Sequence, residues 1–317
     1  MDTKERLSRL NGTTRAWMTD AGFETSLLFH DGFDLPGFCA MVLMDNADAR
    51  VAMTKWFERF ISLARDAGTG FVLDTNTWRG APVWGELLGK SEAEMLRLNR
   101  DAIRFARDLR DRHETPDLPI ILNAVHGPTG DGYSPEMMLT PDAARALHLP
   151  QATIFAEEGA DMISALTMTH TGEGIGVARA AAAVGLRSVI SYTVETDGRL
   201  PSGQTLRDAI AETDAAAGDN VLYYMVNCAH PTHFADELGG AWTARIGGVR
   251  ANASRRSHAE LDAATELDDG NPEEFGELYA ALAVALPRLR VFGGCCGSDD
   301  RHVGCAARHV LHDAVAA

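Results

Sequence analysis

The sequence predicts an α/β fold and, within that class, a (β/α)8 TIM barrel. Short apolar runs alternate with longer amphipathic segments, and eight such strand–helix units fit within the 317 residues. The chain carries no phosphate-binding glycine fingerprint, which makes a doubly wound open sheet the second choice. We therefore expect residues 1–317 to form one barrel domain.

Eight short apolar runs are the predicted strands. They are residues 16–19, 70–73, 120–123, 162–166, 188–192, 221–226, 245–249 and 290–292. The amphipathic segments between them are the predicted helices. They are residues 51–67, 92–112, 143–158, 174–184, 205–217, 231–238, 273–286 and 300–314. Helix punctuation supports this division, because Thr140 and Pro141 form a typical helix start and Gly68 and Gly185 typical helix stops.

Composition and charge exclude several classes of function. The formal net charge is −16, and an acidic surface repels phosphate backbones, so we expect no nucleic-acid partner. No apolar run reaches the roughly 20 residues of a membrane span, and the N-terminus lacks a secretion signal. Five cysteines suit reduced thiols in the cytoplasm better than a disulfide framework. The sequence leaves open whether the protein is a homo-oligomer.

Two adjacent cysteines, Cys295 and Cys296, follow the last apolar run and stand among three glycines, Gly293, Gly294 and Gly297. Neighbouring side chains on a regular strand point to opposite faces, so both thiols reach one point only if the backbone turns sharply. Glycine permits such a turn and leaves room beside the sulfur atoms. The segment is therefore predicted to present two thiols at the end of a strand.

A third thiol, Cys228, follows the apolar run 221–226. In a barrel, active sites lie at the carboxyl ends of the strands, so the thiols after strands six and eight share one rim. Three thiolates with one open position are typical of a catalytic zinc site. We therefore predict that Cys228, Cys295 and Cys296 bind Zn²⁺.

Other interpretations of these residues stay open. Free cysteines are often small buried hydrophobes. Cys228 could instead bind a metal together with His230 and His233, although these histidines also suit the start of a helix near residue 231. His302 and Cys305 lie in the last predicted helix, where we interpret them as structural.

Segments 226–228 and 293–297 resemble the paired motif of the zinc-dependent homocysteine S-methyltransferases. That family includes the betaine–homocysteine and S-methylmethionine–homocysteine methyltransferases. The resemblance implies transfer of a methyl group from a cationic donor to a small thiol, with homocysteine giving methionine. S-Methylmethionine, betaine and S-adenosylmethionine are the candidate donors, and the three cysteines would be metal ligands rather than nucleophiles.

The resemblance also implies a set of substrate contacts. These are Asp20, Gly22, Phe23, Thr75, Trp78, Asn227 and Asn252. Trp78 and Trp84 could form an aromatic wall for the cationic donor. The simpler interpretations are that the aspartate and asparagines bond to local turns and that the tryptophans pack a long loop. Glu24 has no firm counterpart in the family, so its role is open.

The sequence departs from the family at Leu166, where relatives carry a glutamate that helps to hold the amino group of homocysteine. Ser26 similarly replaces a glutamate found in many relatives. The acceptor is then either homocysteine held in another way or a different small thiol. A zinc hydrolase on the same barrel is disfavoured, because such enzymes use histidine and carboxylate ligands. A non-catalytic barrel that binds zinc or a thiol metabolite is the remaining alternative.

Overall fold

Eight parallel strands close into a barrel. The computed structural model describes residues 1–12, 15–133 and 138–313, and its strands follow the chain order, with the first paired to both the second and the eighth. The strands are β1 (Trp17–Met18), β2 (Gly70–Asp74), β3 (Ile120–His126), β4 (Met162–Met168), β5 (Arg187–Tyr192), β6 (Val221–Asn227), β7 (Ile246–Ala251) and β8 (Val291–Gly294). The predicted (β/α)8 barrel is confirmed.

Helices follow the strands, and the predicted helix boundaries agree with the local chemistry. The helices are α1 (Thr3–Asn11), α2 (Phe23–Phe29), α3 (Ala47–Asp66), α4 (Gly85–Leu88), α5 (Glu92–His113), α6 (Pro141–Glu157), α7 (Thr171–Ala183), α8 (Leu206–Ala217), α9 (His258–Asp262), α10 (Pro272–Ala285) and α11 (Asp300–Asp313). The Thr140 side chain accepts a hydrogen bond from the Ala143 N–H at the start of α6. Gly68 and Gly185 adopt left-handed backbone conformations just beyond α3 and α7.

The predicted helix at residues 231–238 is wrong. This segment contains two short 3₁₀ turns, Pro231–His233 and Ala235–Glu237. The His230 side chain accepts a hydrogen bond from the Thr232 N–H, and the backbone of Phe234 leaves the helical region at φ −133°. The first turn therefore ends before an α-helix can propagate.

Four short helices, α1, α2, α4 and α9, were not predicted, because each buries too few apolar residues to give a clear helical period. In α1, for example, only Arg6 and Leu10 are buried. Ala314, the predicted end of the last helix, lies outside the described residues.

Apolar side chains fill the inside of the barrel, and a second apolar layer packs between the strands and the helices. At the amino end of the barrel, Leu10 from α1 contributes to the interior cluster. Arg6 from the same helix pairs with Glu114 and Asp161, which precede β3 and β4. This end is therefore covered by α1, and the open end is the carboxyl rim. Within the described ranges, no helix is long and apolar enough to cross a membrane.

Candidate metal centre and cavity

Three thiols converge at the carboxyl rim of the barrel. The Sγ atoms of Cys228, Cys295 and Cys296 all lie within 4.8 Å of one another, and those of Cys228 and Cys296 are 3.9 Å apart. A tetrahedral zinc with Zn–S bonds of about 2.3 Å places two thiolates about 3.8 Å apart, so the cluster fits zinc. In the part of the chain that the structure describes, it is the only histidine, cysteine and carboxylate group with such spacing.

The backbone at Cys228 adopts a left-handed conformation, with φ 54°. This conformation costs a residue other than glycine about 1 kcal/mol, so surrounding contacts must hold it. The Cys228 N–H donates to the Arg250 carbonyl oxygen at 3.2 Å. The Cys228 carbonyl oxygen accepts from His258 Nε2 at 2.6 Å, and His258 Nδ1 lies 2.9 Å from Glu195. These contacts fix the direction of the first thiol.

The glycines around the cysteine pair are required by close packing. A Cβ atom at Gly293 would overlap the Thr19 side chain, and one at Gly294 would overlap Ser298. The Ser298 N–H donates to the Cys295 carbonyl oxygen at 3.1 Å, which closes the turn. The predicted turn at the end of a strand is therefore present, and it directs both thiols to the rim.

A buried arginine lies beneath this turn. Arg250 at the end of β7 forms ion pairs with Asp74 and, at 2.6 Å, with Asp20, and its Nε donates to the Gly294 carbonyl oxygen at 3.1 Å. Trp56 Nε1 donates to the second oxygen of Asp20 at 3.0 Å. Burial would lower the pKa of Arg250, but the two carboxylates raise it above its usual range. The guanidinium is therefore a permanent charge beneath the thiols.

The three thiols share their protons unequally. Hydrogen bonds from Cys228 and Cys296 lower the pKa of Cys295 well below its ordinary value, and the charge of Arg250 lowers it further. The same bonds raise the pKa of Cys228 and of Cys296. Because metal binding needs thiolates, it would release the protons that remain on the cluster.

Asn227 orients the backbone next to the metal ligands. Its Oδ1 accepts from the Thr167 N–H at 2.8 Å and from the Ser191 hydroxyl at 2.6 Å. Its Nδ2 donates to Thr167 Oγ1 at 2.8 Å and lies 3.9 Å from Cys295 Sγ. These bonds place the Asn227 amide within reach of a sulfur atom bound at the cluster.

Tyr133 covers the cluster from the loop after β3. Its hydroxyl lies 3.9 Å from Cys296 Sγ, and its ring stacks on His258 with centroids 3.9 Å apart. Sequence reasoning missed this residue, because a single tyrosine in an irregular loop gives no periodic signal. Arg250 was also missed, although a charged residue at the end of an apolar strand is a detectable signal.

A cavity of about 370 Å³ opens above the thiols. Six of the seven predicted substrate-contact residues line it, namely Asp20, Gly22, Phe23, Thr75, Trp78 and Asn227. The loops 74–89 and 252–271 contribute to its walls. Leu166 also lines it, and only 8% of the residue is exposed. The cavity therefore presents an apolar surface at the position of the family glutamate.

Asn252 is the exception among the predicted contacts. It is buried and does not line the cavity, and its N–H donates to the Ala229 carbonyl oxygen at 3.1 Å. Its Oδ1 has no hydrogen-bond partner among the described residues. Asn252 thus supports the segment next to Cys228 rather than facing a ligand.

The predicted aromatic wall already holds a cation. The Arg79 guanidinium lies 5.0 Å from the ring centroid of Trp78 and 4.3 Å from that of Trp84. Trp78 Nε1 donates to the Leu166 carbonyl oxygen at 3.3 Å. The two tryptophans therefore pack against a side chain of the same loop.

The alternative metal ligands have other partners. His230 Nδ1 lies 2.8 Å from the Thr232 hydroxyl, and His233 Nε2 donates to the Arg255 carbonyl oxygen at 2.9 Å. His302 Nε2 donates to the Asp269 carbonyl oxygen at 2.7 Å. The two histidines that could have bound a metal together with Cys228 thus lie in local turns. The contact of His302 fits its interpretation as a structural residue.

The fold and the site define a (β/α)8-barrel protein with a three-thiol cluster at the carboxyl rim that could hold a metal ion. Residues 17–310 match the family model described as homocysteine S-methyltransferase. Because this match spans most of the chain, the protein belongs to the homocysteine S-methyltransferase family and is a methyltransferase enzyme of that family.

Solved structures with the same fold include the homocysteine methyltransferase MmuM from Escherichia coli. Its metallated form is 19% identical, with a TM-score of 0.72 over 97% of this chain and 99% of that chain. The oxidized form is 18% identical, with a TM-score of 0.70 over the same shares of the two chains. At this identity the likeness concerns the fold. No curated protein sequence matches the chain.

Proposed function

We propose that the protein is a zinc-dependent S-methyltransferase that moves a methyl group from a cationic donor to homocysteine and so forms methionine. The observation that carries this proposal is the convergence of Cys228, Cys295 and Cys296 on the wall of a substrate-sized cavity. The three-thiol set fits zinc, and MmuM, which shares the fold, is known in a metallated form. When bound, zinc would supply the Lewis acidity that keeps a substrate sulfur deprotonated at neutral pH.

The reaction balances as a simple displacement. The acceptor sulfur loses its proton and forms the new S–CH₃ bond with its electron pair. The bond from methyl to the donor sulfur or nitrogen breaks, and its electrons neutralise the positive charge of the donor. The cavity holds donor and acceptor in line, and such orientation supplies much of the rate acceleration.

The chain's own residues would position these substrates. The Asn227 amide is bonded firmly enough to orient a polar group beside the acceptor sulfur. Tyr133 covers the cluster and limits the access of water. Asp20, Gly22, Phe23, Thr75 and Trp78 stay proposed contacts because they line the cavity, whereas Asn252 acts from behind it. Reduced thiols also favour the cytoplasm as the place of action.

A second candidate is methyl transfer to a thiol other than homocysteine. Leu166 on the cavity wall favours it, because a leucine side chain cannot pair with an ammonium group.

A methyl-transfer assay with zinc-loaded protein tests these candidates. Homocysteine is offered with S-methylmethionine, betaine or S-adenosylmethionine, and methionine is detected by mass spectrometry. Methionine formed with one donor and abolished by chelation would support the proposal and identify the donor. No methionine from fully zinc-loaded protein would contradict it, and methylation in a panel of other thiols would then favour the second candidate.

A further inference from the structure

Glu24, at the second position of α2, contributes a carboxylate to the cavity wall. Within residues 1–12, 15–133 and 138–313, it accepts a hydrogen bond only from its own backbone N–H and joins no ion pair. Burial raises the pKa of Glu24 to about 7, and the nearby charges of Asp20 and Cys295 also raise it. A half-buried carboxylate in such surroundings is stabilised by a cation.

Arg79 is the complementary group on the same wall. Its guanidinium forms cation–π contacts with Trp78 and Trp84, and its Nε is buried without a hydrogen-bond partner among the described residues. Burial lowers its pKa. The planar guanidinium is therefore held by stacking, with the charge of Asp131 acting on it from the same wall, while its Nε–H is left for a further hydrogen bond.

The charge of Glu24 raises the pKa of Arg79, but the two side chains form no direct ion pair among the described contacts. Both line the cavity, so the space between them is open to a ligand. Two other carboxylates at the rim, Asp20 and Asp74, are already paired with Arg250. A ligand that satisfies both free groups must carry a cation and an anion close together.

We infer that Glu24 and Arg79 bind the α-amino-acid end of the acceptor thiol, with Glu24 contacting the ammonium group and Arg79 the carboxylate. Glu24 lies close enough to Cys295 for the two charges to interact, which places the ammonium contact on the side of the metal ligands. This assignment rests on the proposed function, because it takes the acceptor sulfur to lie at the cysteine cluster. It also explains how an amino-acid thiol is held in a cavity where Leu166 offers no charge.

Calorimetry with zinc-loaded protein and three thiols, in the absence of donor, tests the assignment. The thiols are homocysteine, γ-mercaptobutyrate, which lacks the ammonium group, and γ-mercaptopropylamine, which lacks the carboxylate. Wild-type protein should bind homocysteine about 10- to 100-fold more tightly than either analogue, as expected when a charged hydrogen-bonding contact is lost. This comparison needs no variant, so a folding defect cannot obscure it.

Two variants assign the contacts. Glu24→Gln should weaken homocysteine binding about 10-fold or more and leave γ-mercaptobutyrate binding unchanged. Arg79→Gln should weaken homocysteine binding similarly and leave γ-mercaptopropylamine binding unchanged, whereas Arg79→Lys should recover part of the loss. Glu266→Gln makes the same chemical change at an exposed position on the cavity and should leave all three affinities unchanged.

The outcomes separate this assignment from the proposed function. Equal wild-type affinity for homocysteine and both analogues, together with methionine formation in the transfer assay, would overturn the assignment and leave the proposed function intact. If Glu24→Gln bound all three thiols more weakly by the same factor, the assignment would also be overturned, because that pattern indicates a structural role for Glu24. No binding of any of the three thiols by the wild-type protein would overturn both.

Discussion

Two buried arginine–carboxylate networks stand at opposite ends of the barrel. At the amino end, Arg6 pairs with Glu114 at 2.6 Å and with Asp161 at 3.2 Å, and Arg110 and the N-terminal ammonium add further positive charge. At the carboxyl end, Arg250 alone faces two carboxylates.

The difference lies in the balance of charge. In the amino-end network three cations meet three carboxylates, because Arg110 also pairs with Asp111, and the ion pairs attach α1 to the sheet. In the carboxyl-end network carboxylates outnumber the cation, and Cys295, a thiol with a lowered pKa, stands above it. The same chemical groups thus serve attachment at one end and attract cations at the other, where a metal and a cationic donor are proposed to bind.

The largest expected effect is loss of the metal centre. Cys295→Ser should abolish zinc binding and reduce methyl transfer at least about 1,000-fold, because the cluster loses the thiol with the lowest pKa. Zinc content by metal analysis and circular dichroism would show an empty but folded barrel. Cys305→Ser, in α11, is the matched control and should keep its zinc. Wild-type zinc occupancy in Cys295→Ser would contradict the ligand assignment.

Replacing the arginine of each network should destabilise the protein to a different extent. Arg250→Leu leaves two buried carboxylates without their cation and should lower the free energy of unfolding by about 3–5 kcal/mol, with weaker zinc binding. Arg6→Leu should cost less and leave zinc binding unchanged, because Asp161 keeps Arg110 and Glu114 keeps the N-terminus. Urea denaturation and zinc titration of both variants measure this. Equal losses of stability and of zinc affinity in the two variants would contradict the proposed difference between the two ends of the barrel.

The networks should respond to pH with opposite sign. Burial raises the pKa of Asp20 to about 6, so its contribution to stability is present below pH about 4 and is lost as the pH rises through 6. Burial also raises the pKa of Glu114, but hydrogen bonds from Arg6 outweigh this and lower it to about 2. The contribution of Glu114 is therefore present above pH about 4 and is lost as the pH falls towards 2.

Urea unfolding of metal-free protein between pH 3 and pH 7 would measure this difference. Relative to wild type, Asp20→Asn should remove the part of the pH dependence that Asp20 contributes between about 4 and 6, and Glu114→Gln should remove the part that Glu114 contributes below about 4. Stability curves of Asp20→Asn parallel to wild type between pH 4 and 6 would contradict the sign given for the carboxyl end.

The smallest expected effect comes from one more carboxylate at the carboxyl end. Leu166→Glu should tighten homocysteine binding by no more than about 3-fold, because Glu24 is proposed to pair with the ammonium group already. Calorimetry against Leu166→Gln measures the contribution of charge. A gain of about 30-fold or more would mean that the ammonium group has no partner in the native cavity.

Local patterns predicted the features that depend on local chemistry. Apolar periodicity located the strands, and glycines flanking a cysteine pair indicated the turn that presents two thiols. The partners of Arg250 were not predictable, since Asp20 and Asp74 are 230 and 176 residues away in the chain. The contact of Arg79 with the rings of Trp78 and Trp84 was not predicted either, because the sequence does not show how a long loop folds on itself.

The three cysteines follow β6 and β8, and the intervening β7 bonds to both cysteine segments. The proposed metal ligands thus follow the two strands that flank β7, within residues 228–296, whereas the proposed substrate contacts Glu24 and Arg79 come from the first quarter of the chain. Reactivity and substrate choice are therefore encoded in separate stretches of sequence. Evolution or design can then exchange the segments after β1 and β2 to admit a new thiol without rebuilding the centre that activates it.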